Sequence, residues 1–222
     1  MDMDMNLLWI TLSVSALILA AAAVFFLVKR YKKIHNQIRG KKGEKRVAKV
    51  LAKYARFREA KVINGIYLPL YDETTEIDHI LIAPFGVMVI ETKNWAGSVY
   101  GDPNEEKWLQ ELGEARNYHY NPLFQNKTHI DNIRHIFKKE NIYRTNVEGV
   151  VVFADRRCNL YCPRKVKAMK LKQFKKLLKS NAYEADNKVD VEKVYNAILK
   201  YQVTDRKKIA QHDSNVKRHA EQ

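Results

Sequence analysis

Three charged side chains interrupt two apolar segments in the middle of the chain. Asp78 lies in the first segment, and Glu91 and Lys93 lie in the second. Two carboxylates placed close together repel each other unless a proton or a cation lies between them. Mg²⁺ usually binds one or two carboxylates together with water and phosphate oxygens, and a neighbouring lysine can stabilise the phosphate charge or orient an attacking water. This combination is typical of a metal-dependent phosphodiesterase centre, although a lysine paired with acids on a solvated sheet face would have the same residue types.

A predicted β-hairpin would bring these three residues together. The two apolar segments flank a Pro-Phe-Gly turn at 84–86, which indicates adjacent antiparallel strands. Side chains alternate between faces along a strand, so Glu91 and Lys93 share one face. A two-residue loop would place Asp78 opposite Glu91, with Cβ atoms roughly 5 Å apart. A three-residue loop would instead place Asp78 opposite Thr92 unless a bulge restores the facing.

The region from about Gly43 to Asp155 resembles the nuclease-related domain (NERD), a branch of the PD-(D/E)xK nuclease superfamily. A lone Glu-x-Lys motif carries little information, but here it belongs to an ordered set with characteristic neighbours. That set comprises Gly43-Glu44 at the opening of a helix, Glu76-Ile77-Asp78-His79, Glu91-Thr92-Lys93-Asn94-Trp95, Trp108, and Asn121-Pro122-Leu123-Phe124-Gln125. The resemblance favours the metal centre over a surface ion pair.

The resemblance implies roles for five residues. Asp78 and Glu91 would bind Mg²⁺, or Mn²⁺ in its place, and Lys93 would orient the attacking water or neutralise the transition state. Glu44 would be an auxiliary ligand of the metal or of a water, although an acid at a helix N-terminus is also favoured by the helix dipole. Gln125 would hold a water or phosphate near the metal, unless it simply belongs to a polar helix face.

His129 departs from the pattern of the superfamily. Relatives often carry Gln-x-x-x-Tyr, whereas this chain has Gln-x-x-x-His from Gln125 to His129. Residues four apart share a helix surface, so the two side chains should lie together, but the role of His129 stays open. Trp95 and Trp108 are assigned to core packing in preference to stacking on a nucleic-acid base.

The predicted elements give an α/β fold. In chain order they are a helix at 43–57, a strand at 61–70, the hairpin, short strands at 98–101 and 107–109, a helix from 121 to 139 and a strand at 148–155. The core order of helix, three strands, helix and strand is the αβββαβ core that the resemblance implies. That core is restriction-endonuclease-like, with a mixed sheet flanked by helices.

The N-terminal region is predicted to be a transmembrane helix. Residues 7–28 carry no charge, and a helix of this length spans about 33 Å, enough for a hydrocarbon core of about 30 Å. Basic residues follow at 29–33, whereas residues 1–6 contain two aspartates and no basic residue. The positive-inside rule predicts a single-pass cell-membrane protein with its N-terminus outside and its C-terminal domain in the cytoplasm. The acidic start and the long apolar run favour an anchor over a cleaved signal peptide.

Charge and composition suggest an anionic partner. Forty basic and 25 acidic residues leave a net charge of +15, which indicates nucleic acid or a membrane surface. The basic linker at 29–42 is expected to attract anionic lipid. Residues 164–179 contain eight basic residues and no acid around an apolar stripe, which predicts an amphipathic helix. Its cationic face would follow a phosphate backbone or lie against the membrane.

The sequence thus divides into a tail and transmembrane helix at 1–28, the linker at 29–42 and the domain core at 43–155. Basic helices packed on the core follow at 156–203, and a flexible tail at 204–222. Cys158 and Cys162 have no further cysteines to form a zinc site with, and are expected to be reduced thiols.

The sequence therefore predicts a membrane-anchored, cytoplasm-facing, Mg²⁺-dependent nuclease, with DNA the favoured substrate. The alternative is a non-catalytic membrane tether that binds nucleic acid or anionic lipid through its cationic surface. Neither the oligomeric state nor the choice between endonuclease and exonuclease follows from the sequence.

Overall fold

The structure is a computed structural model that describes residues 2–71 and 73–219. Its helices are α1 (Asp2–Ala55), α2 (Pro122–Lys139), α3 (Leu171–Leu177), α4 (Val191–Lys200) and α5 (Arg206–His219), with a 3₁₀ turn at Asn181–Tyr183. Its strands are β1 (Lys61–Leu70), β2 (Glu73–Ala83), β3 (Gly86–Lys93), β4 (Gly97–Tyr100), β5 (Lys107–Leu112), β6 (Ala115–Tyr120), β7 (Val147–Phe153), β8 (Cys158–Tyr161) and β9 (Ala168–Lys170). The chain divides into two compact units, one ending at Lys41 and one beginning at Lys42.

Among its described residues, the first unit contains only the part of α1 from Asp2 to Lys41. No helix in the described part of the chain is long and apolar enough to cross a membrane. The structure therefore does not support the transmembrane helix predicted at 7–28. Seven side chains of that segment, at positions 7, 8, 10–13 and 16, lie outside the described residues.

Helix α1 corrects the prediction that a new helix opens at Gly43. The helix continues without interruption through the predicted linker at 29–42. The glycine has a packing role instead: a Cβ atom built there would lie 2.7 Å from Cβ of Asn94. Gly43 therefore allows α1 to approach the segment that follows β3 closely, and it does not mark a helix start.

The second unit is built on a five-stranded mixed sheet in the order β1-β2-β3-β7-β9. The first three strands are antiparallel neighbours, whereas β3, β7 and β9 run parallel. Helix α2 connects β3 to β7 and packs close to the sheet. A Cβ on Gly149 would lie 2.6 Å from Nδ2 of Asn126, and that amide donates hydrogen bonds to the carbonyls of Val89 and Val150. The predicted αβββαβ order with a mixed sheet and flanking helices is confirmed.

Apolar side chains cover both faces of this sheet. On the first face, residues such as Val87 and Val89 pack against Ile133 of α2 and Val194 of α4. On the second face, the apolar cluster comprises Met88, Ile90, Val150 and Val152 of the sheet with Val47 and Leu51 of α1 and Phe174 of α3. Strand alternation assigns neighbouring residues of β3 to opposite faces. The end of β3 therefore lies between two separate cores.

A second, four-stranded sheet was not predicted as a separate layer. Its order is β6-β5-β4-β8, and it is inserted mainly between β3 and α2. Its core contains Trp108, Phe153 and Cys158, so the prediction that Trp108 is a packing residue is confirmed. Strand β6 has an almost wholly exposed pattern, and its sequence therefore lacks the alternation that would reveal it.

Two C-terminal predictions need correction. The helix predicted across 164–179 is confined to α3, because residues 168–170 pair in parallel with β7 as β9. Residues 206–219 form α5, where the sequence predicted an irregular tail. Most described side chains of α5 are exposed, and the ring of His212 packs edge-on against Tyr67 of β1.

Candidate active site

The hairpin brings Asp78 to the end of β3. The β2–β3 ladder pairs Ala83 with Gly86 and continues to His79 opposite Ile90. This is the register of the two-residue loop, so that alternative is correct. Asp78 extends one residue beyond the ladder, and its Oδ2 accepts a hydrogen bond from the backbone N–H of Thr92 at 2.7 Å. The carboxylate is therefore held at the level of residues 91 and 92.

Lys93 is the centre of the charged cluster. Its Nζ lies 2.7 Å from Oε1 of Glu91 and donates to Oε1 of Gln125 at 2.9 Å. The Glu91 residue is 2 % exposed, and the Lys93 side chain is 19 % exposed. Asn121 caps α2 by accepting a hydrogen bond from the N–H of Leu123, which fixes the first turn that carries Gln125. The cluster thus joins the end of β3 to the start of α2.

His129 contacts the other side of Glu91. Its Nε2 lies 3.3 Å from Oε2 of Glu91, and its Nδ1 lies 3.2 Å from Oγ1 of Thr75. His129 and Thr75 are both buried, and the helix spacing of four brings His129 beside Gln125 as predicted. Sequence reasoning missed Thr75, since a threonine in a β-strand is ordinary. The structure thus places His129 in the cluster.

Glu44 reaches the same region from α1. It is half-buried and follows Gly43, whose close approach to Asn94 fixes the position of the helix. Its negative charge raises the pKa values of both Asp78 and Lys93. The structure therefore brings all five predicted site residues to one end of the central sheet.

Comparison with known protein families identifies the domain. The model of the nuclease-related domain matches residues 39–154, or 116 of the 222 residues. The chain belongs to the NERD family. The matched region contains all five site residues. Membership of the family indicates a nuclease-related function. It is also consistent with a place in a PD-(D/E)xK-like nuclease superfamily.

One relative of this NERD protein is an uncharacterized protein of Bacillus anthracis. The two are 36 % identical over 102 residues, which cover 46 % of this chain and 48 % of the relative. The chain therefore aligns with about half the length of that protein. No solved structure matches the chain significantly.

The NERD cluster perturbs the acidity of its own members. Burial and the charge of Glu91 raise the pKa of Asp78 well above its usual value. Burial also opposes ionisation of Glu91, but Lys93 and His129 outweigh it and lower the pKa of Glu91 to about 2. Although burial disfavours charged Lys93, the carboxylates of Glu91, Asp78 and Glu44 raise its pKa. Without a metal, the cluster therefore favours an ionised Glu91–Lys93 pair, whereas the pKa of Asp78 is shifted towards the protonated form.

The metal site predicted at Asp78, Glu91 and Glu44 stays a prediction. Among the described residues, no group of three or more His, Cys, Asp and Glu side chains is placed to hold a metal ion. The oxygens of Glu91 contact Lys93 and His129 instead.

Asp78 and Glu91 alone nevertheless fit a divalent cation. Oε2 of Glu91 is buried and makes no hydrogen bond of good geometry, even towards His129. Burial and the charge of Glu91 raise the pKa of Asp78, and a cation between the two carboxyl groups would oppose both effects. Mg²⁺ and Mn²⁺ suit such a site, because one or two carboxylates suffice when water and phosphate oxygens complete the coordination.

The second sheet adds an aromatic wall beside Lys93. The half-buried ring of Trp95 stacks on His119 with centroids 4.2 Å apart, and Nζ of Lys93 lies 5.8 Å from its centre. His119 also contacts Oε1 of Gln110 through Nε2 at 2.9 Å. Burial and the charge of Lys93 lower the pKa of His119. Sequence reasoning missed His119 because β6, which carries it, was not predicted.

Proposed function

We propose that this NERD domain is a metal-dependent nuclease that hydrolyses phosphodiester bonds, with Mg²⁺ as the metal and DNA as the substrate. The observation that carries the proposal is the buried Glu91–Lys93 pair, which Gln125 joins and beside which Asp78 has a raised pKa. Perturbed ionisable groups cluster at functional sites. Most ion pairs lie on the surface, where they contribute little to stability, whereas Glu91 is 2 % exposed and its pair with Lys93 lies beside a second, half-buried acid, Asp78.

The proposed roles follow from the contacts. Asp78 and Glu91 would hold the metal, which supplies charge neutralisation at the phosphate and lowers the pKa of a bound water. Lys93 is kept cationic by its carboxylate neighbours, and so can stabilise negative charge on a phosphate or orient water. The amide oxygen of Gln125 accepts from Lys93, which leaves its NH₂ group to donate to a phosphate oxygen.

Catalysis is tested with the full-length chain and labelled nucleic acids. Linear and circular DNA, in single- and double-stranded form, and RNA are incubated with Mg²⁺, with Mn²⁺ or with EDTA. We expect cleavage that requires metal and falls by about 10²–10³-fold in Asp78→Asn and in Lys93→Met. Lys176→Met, an exposed lysine of α3, is the control and should retain activity.

The alternative is a non-catalytic tether that binds through its cationic surface. It predicts that the wild type and both site variants are inert with every metal, yet bind nucleic acid equally well and with the same salt dependence. That result would overturn the nuclease proposal, provided that circular dichroism shows each variant to be folded. Cleavage by the wild type alone would exclude the tether.

We also propose that residues 7–28 attach the chain to the cell membrane, with the domain in the cytoplasm. The support is the uncharged run followed by basic residues, together with large apolar side chains that are exposed on α1, such as Leu17 and Phe26. The test is fractionation of cells that express the full chain or a chain lacking residues 2–33. Only the full chain should stay in the membrane pellet after an alkaline wash, and its release would refute the attachment.

A further inference from the structure

A groove of about 850 Å³ lies between α1 and α3, on the face of the five-stranded sheet opposite α2. None of the catalytic roles proposed above uses it, and its α3 side belongs to the basic region 164–179 that the sequence predicts to contact phosphate or membrane. Its floor is apolar and includes Val50, Tyr54, Leu171 and Leu178, and its edge includes Phe57, whose residue surface is 76 % exposed. This volume is within the range of about 300–1,000 Å³ that is common for ligand-binding sites.

The rim of the groove is strongly basic. Its nine cationic residues are Arg46, Lys49, Lys53, Arg58, Arg156, Lys170, Lys172, Lys175 and Lys179. The one acid among the described lining residues is Asp155, which pairs with Arg157 at 3.3 Å. Lys49, Lys53, Lys172 and Lys175 make no ion pair with any carboxylate in the described part of the chain. Uncompensated like charges around one groove attract an anionic partner.

The apolar floor distinguishes between the anionic ligands that the basic rim could attract. A free phosphate would use the lysines but not the floor, and a duplex keeps the faces of its bases stacked inside. A single strand of nucleic acid offers both a phosphate backbone for basic side chains and exposed base faces for apolar and aromatic ones. Exposed Phe57, near Arg56 and Arg58, suits such stacking.

The groove is connected to the proposed catalytic end of the sheet. Arg46, which lines it, donates hydrogen bonds to Oδ1 of Asn94 at 3.4 Å and to the carbonyl of Ala154 at 3.0 Å. Asn94 directly follows Lys93, and the N–H of Ala154 donates to the carbonyl of Lys93 at 2.8 Å. One end of the groove therefore lies against the backbone beside Lys93, whose side chain is on the opposite face of the sheet.

We propose that this groove, the α1–α3 groove, binds single-stranded nucleic acid, with phosphates at its lysines and bases on its apolar floor. The inference rests on the proposed nuclease function, since it assigns a path for the strand that leads to or from the site. It names single strands, or single-stranded ends, as the substrate class.

The test uses two double variants with equal changes in net charge. Lys49→Glu/Lys175→Glu alters the groove, whereas Lys45→Glu/Lys176→Glu alters exposed positions of the same two helices that do not line it. Each full-length protein, in mild detergent and EDTA, is titrated with a labelled single-stranded oligodeoxynucleotide over about 50–200 mM salt. We expect the groove variant to raise Kd at least about tenfold and to reduce the salt slope by about 1.4, for two lost phosphate contacts. The control variant should raise Kd less than about threefold.

A second pair of variants tests the floor. Phe57→Ala should weaken binding of the single strand by about fivefold or more, because stacking on an aromatic ring contributes about 1–3 kcal/mol per base. Tyr143→Ala removes a similarly exposed aromatic ring outside the groove and should have no such effect. Binding of a duplex should respond less to Phe57→Ala than binding of the single strand.

The possible results separate this inference from the proposed function. Equal weakening by both double variants, or no weakening by either, would overturn the groove assignment. It would also be overturned if the groove variant lost binding to vesicles of phosphatidylserine and phosphatidylcholine while keeping the oligonucleotide. Groove-dependent binding by a wild type that cleaves nothing would support the groove and refute the nuclease. Cleavage by a wild type whose binding does not depend on the groove would support the nuclease and refute the groove assignment.

Discussion

Charged residues lie on both sides of the five-stranded sheet, but they are buried on one side and exposed to solvent on the other. On the α2 face, Glu91 and His129 are 2 % and 3 % exposed, and Glu91 contacts both His129 and Lys93. On the other face, Lys49 and Lys175 of the α1–α3 groove are exposed to solvent above an apolar floor.

This difference in burial determines what each set of charges can do. Interactions between buried charges are strong and poorly screened, so the α2 face fixes protonation states and side-chain positions. Exposed lysines contribute little to stability, because solvent and salt screen them, but they attract an anionic partner over a distance. We therefore expect changes on the α2 face to affect stability and chemistry, and changes in the groove to affect binding and its salt dependence.

The largest expected effect on stability comes from removing the charge of Lys93. Lys93→Met should destabilise the fold by about 3–5 kcal/mol, because it leaves Glu91 buried without its ion-pair partner. Lys175→Met makes the same chemical change in the groove and should change stability by no more than about 0.5 kcal/mol. The measurement is urea denaturation followed by circular dichroism. Similar values for the two variants would contradict the comparison of the two faces.

The next effect is a dependence of stability on pH in the metal-free protein. The pKa of Glu91 is lowered from 4.5 to about 2, so the unfolded state binds more protons than the folded state between these values. Stability should therefore fall by about 3 kcal/mol as the pH falls through this interval. The pKa of Asp78 is raised, so its contribution has the opposite sign and is lost as the pH rises from about 4 through its folded-state pKa.

Single substitutions separate these two contributions. Glu91→Gln should remove the loss of stability at acid pH, and Asp78→Asn should flatten the decline towards neutral pH. Free energies of unfolding are measured in EDTA at several pH values, so that no divalent cation favours the ionised carboxylates. An unchanged pH profile in Asp78→Asn would show that this carboxyl group has an ordinary pKa.

Much of the α2 face could be predicted from sequence, because local patterns specify it. Two apolar segments around a Pro-Phe-Gly turn determine the hairpin, and the two-residue loop then places Asp78 level with Glu91. Asn-Pro at 121–122 determines where α2 begins, and the helix period then brings Gln125 and His129 together. Each of these rules acts over a few residues.

The parts that sequence did not predict depend on tertiary contacts. Strand β6 has little apolar alternation, so neither the second sheet nor the stacking of His119 on Trp95 could be predicted. Gly43 resembled a helix start, but its role is the close approach to Asn94. The basic residues at 164–179 were recognised as a cationic surface, but the groove also requires the lysines of α1, and no local pattern shows that these two helices are neighbours.

The smallest expected effect is repulsion among the lysines of the groove. Lys172 and Lys175 are three residues apart in α3, and like charges at this spacing destabilise a helix by a few tenths of a kcal/mol. Lys172→Glu, in the first turn of α3, should therefore stabilise the protein by about 0.5 kcal/mol at low salt, and Lys172→Gln by about half as much. Both gains should disappear near 1 M salt, where the Debye length is about 3 Å.

The destabilisation by Lys93→Met should instead be nearly the same at low and high salt, since the Glu91–Lys93 pair is largely shielded from solvent ions. A gain for Lys172→Glu that persists at high salt would mean that screened repulsion does not govern Lys172, and the contrast between buried and exposed charges would then be wrong for the exposed ones.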